Sequence, residues 1–273
     1  MDYFKELEEI LLTIKPKDKF TKFEKFYKDF LKNDFNFDTN YEVKALDKPS
    51  YNSFMKVVLP KEVKVRKYFD TDEGKGSLLH TIAHIEYSAI DLALDAALRF
   101  KDLPKDYYKD WLEVASDEIR HFLMIEKIME KVGYKYGDFN VHTNLFEAMK
   151  KTNTLVERMA IVPRYLEANG LDQNPKIMKK LESNPDEINS EILKALNTIL
   201  EEEVTHVYKG DKWFKYACNK ENLDMEDTYV NLLEKYYPGS TLGKKYDMNF
   251  EARKRAGFSC KELKRLSNKG DCI

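Results

Sequence analysis

Apolar residues recur every three to four positions through most of this chain, the spacing that keeps them on one face of a helix. The pattern predicts two amphipathic helices over 3–15 and 19–32, then a less regular stretch over 33–70 containing "KPSYN" and "VVLPKEVKVR". Helical periodicity returns from Gly76 to Phe100 and, after the breaker "KDLPKDY", from about Tyr107 to Lys131, with Gly133 as a C-terminal stop. The loop "YGDFNVHTN" leads to a third long helix, about Leu145 to Asn169, with Gly170 as its stop. Pro163 lies inside it and should kink it. A fourth helix is expected over about Ile188–Asn219, followed by shorter ones near 225–236 and 249–267. The fold class is therefore all-α. We divide the chain into an N-terminal helical extension over 1–70, a helical core over 71–220 and a C-terminal helical extension over 221–273.

Four of these helices place a carboxylate where the core face should be. Glu118 shares the apolar stripe of its helix with Trp111, Val114, Ala115, Phe122, Ile125 and Met129, and His121 borders it. Glu203 lies among Ile192, Leu196, Ile199, Gly210, Trp213 and Ala217, with His206 three residues on. Glu86 shares a stripe with Leu79, Ile82, Ile90, Ala93 and Ala97, and Glu167 follows Val156, Ala160 and Pro163. Residues three apart on a helix are neighbours, so each Glu-x-x-His can offer two ligands to one point. The order Glu86, Glu118/His121, Glu167, Glu203/His206 is the ligand pattern of di-iron and di-manganese carboxylate bundles. The spacing repeats, with 32 residues from Glu86 to Glu118 and 36 from Glu167 to Glu203.

The chemistry explains why such residues would be tolerated in a core. A lone buried carboxylate is costly, and four would also repel. Two divalent cations cancel four glutamates, and this ligand set suits iron or manganese. Two iron ions are therefore the expected cofactor, with manganese or a mixed iron/manganese pair as the alternative. Asp91 or Asp95 could compete with Glu86, and Glu157 with Glu167, although Glu157 is out of phase with the stripe. Asp117 and Glu202 immediately precede the two motifs. Metal-bound histidines usually pass their other N–H to a carboxylate, so we expect Asp117 to orient His206 and Glu202 to orient His121, with Arg120 pairing one of these acids. His80, His84 and His142 fit no ligand position and read as capping or hydrogen-bonded core histidines.

Composition narrows the class further. The 273 residues carry a net charge of −2 and 34% charged residues, which gives no global reason to expect nucleic acid or anionic membrane as a partner. The start "MDYFKELEEILLTIK" lacks a signal-peptide pattern, and no apolar run approaches the length of a membrane span. Three scattered cysteines without a C-x-x-C pair fit a reducing cytoplasm and argue against a zinc ribbon or a rubredoxin-type iron centre. Residues 244–273 carry nine Lys/Arg against four Asp/Glu, a run that reads first as a solvated helical face.

The segments "LLHTIAHIEYSAIDLALDAALRF", "DEIRHF", "VPRYLEANGLD", "EEEVTHVYKGDKWF" and "NFEARKRAGFS" together resemble an uncharacterised ferritin-like family, catalogued as a domain of unknown function. The resemblance spans about residues 60–260 and looks related to the tRNA-modifying di-iron hydroxylase and the wider ferritin-like superfamily. It implies a ferritin-like four-helix bundle with additional N- and C-terminal helices around a dinuclear metal centre. One departure is Glu202, where the two-iron oxygenase pattern more often has Asp. The function expected is a di-metal oxidoreductase that activates dioxygen or peroxide on a small-molecule substrate, served by an external electron donor. Two alternatives stand beside it: iron handling or peroxide scavenging, and a tRNA-modifying hydroxylase, the latter resting on kinship and the basic C-terminal run.

Overall fold

The computed structural model describes residues 2–32, 35–63, 69–240 and 248–267. All its regular elements are helical, and among the described residues only isolated β-bridges interrupt that pattern. The chain forms two compact units, residues 1–150 and 151–273.

The first unit holds α1 (Tyr3–Leu11), α2 (Pro16–Lys32), α3 (Asp72–Arg99), α4 (Lys105–Lys131) and α5 (Asn144–Lys151). The long pair α3 and α4 packs together along its length, joined by the short link that begins at Phe100. Thr71 caps α3 by accepting from the Gly74 amide at 3.1 Å, satisfying a donor that the first helical turn leaves open. Helix α4 stops at Val132–Gly133, where Gly133 takes φ +82°, as the glycine signal predicts. The N-terminal helices are attached through aromatic packing. Tyr3 stacks on Phe37 with ring centres 4.4 Å apart and meets Tyr108 of α4 at 5.2 Å. Asp2 caps α1, which ends at Leu11, one turn earlier than the periodicity suggests, because Pro16 opens α2.

The loop after α4 is held by histidines rather than by a helix. His80 Nε2 accepts from the Gly137 amide at 3.0 Å. His84 lies 3.0 Å from the Tyr136 hydroxyl through Nδ1 and 3.1 Å from the His142 carbonyl through Nε2. His142 Nδ1 in turn accepts from the Asn144 amide at the start of α5. All three are therefore hydrogen-bonding histidines, as expected. Burial disfavours the imidazolium and pushes His80 and His84 down to about 4. The unfolded chain then binds protons that the folded chain refuses. Stability from this source is full above about pH 6.5, drains as pH falls towards about 4 and levels off below, a loss of about 3 kcal/mol per histidine. Urea midpoints at pH 7 and pH 4.5 test this. His80→Gln and His84→Gln should each reduce the acid-induced fall, and an unchanged fall in both variants would contradict it.

The second unit holds α6 (Leu155–Ile161), a π-helical turn (Val162–Glu167), α7 (Ala168–Glu182), α8 (Glu187–Lys220), α9 (Met225–Tyr236), α10 (Phe250–Arg255) and α11 (Cys260–Ser267). The third long helix of the sequence reading is thus divided. Residues 152–154 break it, and Thr154 restarts it with a capping box: its hydroxyl accepts from the Glu157 amide at 3.2 Å while Glu157 accepts from the Thr154 amide at 3.2 Å. The kink expected at Pro163 takes the form of the π-helical turn. Gly170 does not stop the helix, which continues through Pro175 to Glu182. Proline cannot donate to the carbonyl four residues earlier, and that carbonyl, on Leu171, instead accepts from Asn249 Nδ2 at 3.3 Å. The expected final helix over 249–267 is two helices, parted at Gly257, whose φ of +96° a helix cannot contain.

Among the described residues no helix is long and apolar enough to cross a membrane. Among the described residues of the basic C-terminal run, four side chains are matched within their own unit. Arg253 pairs with Asp172 at 2.6 Å, Arg255 with Glu201 at 2.6 Å, Lys261 with Glu226 at 2.5 Å and Arg265 with Asp227 at 2.9 Å. Lys244, Lys245 and Lys269 lie outside the described residues.

Candidate metal centre

In the first unit, α3 supplies Glu86 and α4 supplies Glu118 and His121. Tight packing of these two helices brings the three side chains together, and all are buried: Glu118 and His121 are 0% exposed and Glu86 is 4% exposed. One ligand atom from each lies within 4.8 Å of the others. His121 Nδ1 is 3.3 Å from Glu118 Oε2 and 3.3 Å from Glu86 Oε2.

The electrostatics follow from that crowding. Burial and the neighbouring Glu118 charge raise the Glu86 carboxyl well above the usual range, although His121 opposes this. Burial alone would lower His121, but hydrogen bonds to Glu118 and Glu86, with their charges, outweigh it and carry the imidazole up to about 11. A proton on Glu86 and one on His121 leave the trio neutral. A divalent cation on these ligand atoms would displace both protons and take over the neutralising role. The donor set, two carboxylates and an imidazole, fits iron or manganese.

In the second unit, the other Glu-x-x-His repeats this local geometry on α8. His206 Nδ1 lies 3.6 Å from Glu203 Oε1, with His206 fully buried and Glu203 half-buried. Glu167 ends the π-helical turn and is half-buried. Arg120 pairs with Asp117 at 2.9 Å on the exposed flank of α4, one of the two acids expected for it. Glu202 is half-buried on α8.

The competing acids have other partners. Asp91 is bonded to the buried Lys19 and accepts from the Ser50 hydroxyl at 2.7 Å. Asp95 forms a forked pair with Arg99, its Oδ1 2.5 Å from Nη2. Glu157 caps α6 and pairs with Lys235 at 2.7 Å. Burial alone would raise its carboxyl, but these bonds bring it down to about 2. The out-of-phase argument against Glu157 thus agrees with its use as a cap.

In the second unit, Arg164, inside the π-helical turn, is fully buried and ion-paired with Asp211 and Glu262. Its signal in the sequence is a lone arginine in the otherwise apolar "AIVPRYLEA".

A helical fold with a buried carboxylate–imidazole cluster on adjacent helices defines a class of candidate metal-binding helical proteins. The chain belongs to the family described as "Protein of unknown function (DUF455)", whose model matches residues 12–264. It is 40% identical over 215 residues to an "Uncharacterized protein" of Haemophilus influenzae, covering 76% of this chain and 72% of that protein. No solved structure matches it.

Proposed function

We propose that this protein is a ferritin-like di-metal carboxylate oxidoreductase, with two iron ions as the resident cofactor. The observation that carries the reading is the buried trio Glu86, Glu118 and His121, whose ligand atoms converge within 4.8 Å. The second Glu-x-x-His, Glu203 and His206, has the same local geometry, and the order of these residues and Glu167 along the chain matches the four carboxylates and two imidazoles of a four-helix di-metal bundle. Two iron ions held by such a set supply two-electron reduction of dioxygen or peroxide. The chain's part is to hold the ligands deprotonated once charge is balanced, to keep bulk water from Glu118 and His121, and to orient the histidines through Asp117 and Glu202. Arg120, paired with Asp117, supports that outer layer.

A small organic substrate and an external electron donor complete the proposal, with dioxygen or peroxide as oxidant. The tRNA reading loses part of its footing, because Arg253, Arg255, Lys261 and Arg265 are matched by acids. The discriminating experiment is oxygen uptake with excess ferrous iron, followed by size analysis. Ferrous protein is expected to consume about one O₂ per two irons and then stop until reductant is added. Continued loading into a mineral-filled assembly, on the order of hundreds of irons per particle, would replace this reading with iron storage.

A further inference from the structure

The π-helical turn Val162–Glu167 is gripped from several sides by its own unit. The Pro163 ring lies against α8 at Gly210, where an added Cβ would come within 2.3 Å of Pro163 Cβ and Cγ. Arg164 follows, fully buried. Its Nε is 3.0 Å from Asp211 Oδ1 on α8, and its Nη2 donates to Glu262 Oε1 on α11 at 2.6 Å. The guanidinium carbon lies 4.6, 4.2 and 4.7 Å from the ring centres of Phe214, Tyr229 and Phe258. The Tyr229 hydroxyl of α9 donates to the Arg164 carbonyl at 2.9 Å, so side chain and backbone of one residue are held at once. The anionic partners are themselves fixed: Asp211 Oδ2 pairs with Lys215 at 2.6 Å, and Glu262 Oε2 accepts from the Ser259 amide at 2.8 Å.

Stability alone is a poor reason for this arrangement. A buried ion pair commonly does no better than apolar side chains of the same volume. The location is more informative. A π-turn is locally less favourable than α-helix and persists where something holds it. Letting it revert to α-helix would turn the following residues by about 100° relative to those before. Glu167 ends this turn, three residues after Arg164.

We propose that Arg164 is a positioning residue whose clamp, with the Tyr229 hydroxyl, holds the π-turn in the register that orients Glu167, one of the glutamates assigned to metal in the proposed function. The inference rests on the di-metal reading above. The test is manganese(II) titration of the full-length protein, with bound and free metal followed by electron paramagnetic resonance. Wild type binds two ions. Arg164→Lys keeps the charge but loses the fork, so the affinity for one ion falls at least about tenfold while the other stays within about twofold. Tyr229→Phe removes a single hydrogen bond and weakens the same ion by about threefold. Leu233→Ala, a core truncation on α9, lowers the melting temperature and leaves both affinities in place. The proposal is overturned if Tyr229→Phe and any folded Arg164→Lys bind both ions as wild type does, or if Leu233→Ala loses an ion as well. If Arg164→Lys does not fold, Tyr229→Phe decides alone. A wild type that binds no manganese overturns the metal reading itself, and the positioning role with it.

Discussion

Glu118→Ala is expected to remove at least one of two metal ions per chain, and Glu118→Ala combined with Glu203→Ala to abolish stoichiometric binding. Glu118 is 0% exposed and stands 3.3 Å from His121, with Glu86 raised by its charge, so it is the group to which the first-unit trio is tied. The loss should be specific to metal rather than a collapse of the fold. In metal-free protein Glu118 is the buried counter-charge of His121, whose imidazole it helps carry up to about 11. The near-isosteric Glu118→Gln should therefore stay folded but melt below wild type when both are metal-free, and it should gain little when metal is supplied, where wild type gains much. Metal analysis and paired melting curves check both halves. Stoichiometric metal in the Glu118→Ala/Glu203→Ala double variant would sink the ligand assignment.

Chelation should lower the melting temperature of wild-type protein by roughly 10 °C. A ligand that binds only the native state stabilises it by mass action, about 4 kcal/mol when free metal exceeds its dissociation constant a thousandfold. For a chain of this size each kcal/mol corresponds to about 2–4 °C. The protons on Glu86 and His121 offset part of that loss by neutralising the trio after the metal leaves. The measurement is calorimetry of protein loaded with ferrous iron or manganese, with and without chelator. Identical melting curves would show that the cluster binds nothing of consequence.

The helical class and the inward-facing carboxylates are legible in the sequence. Glu86, Glu118, Glu203 and His206 stood out because 3.6-residue periodicity says which positions face the core, and a carboxylate there demands a partner. The sequence alone does not separate Glu86 from Asp91 and Asp95, for a physical reason. All three lie on one well-buried helix, and what separates them is what each touches. Asp91 meets Lys19, 72 residues earlier in the chain, and Asp95 meets Arg99 one turn on. The break at 152–154 has a local signal, the capping box that Thr154 forms with Glu157. The continuation of α7 past Gly170 was not readable. It depends on Asn249, nearly eighty residues away, meeting the Leu171 carbonyl that Pro175 cannot bond.

By itself the sequence determined the helical class, the stripes and the local pairs, because helix period and i, i+3 adjacency depend only on nearby residues. Tertiary structure decided what long-range neighbours decide. It set Glu86 against Glu118 and His121, gave Asp91, Asp95 and Glu157 other partners, and turned the Pro163 kink into a π-turn clamped by Arg164. The cost of a buried charge depends on the groups around it, and those groups come from elements that are distant in sequence.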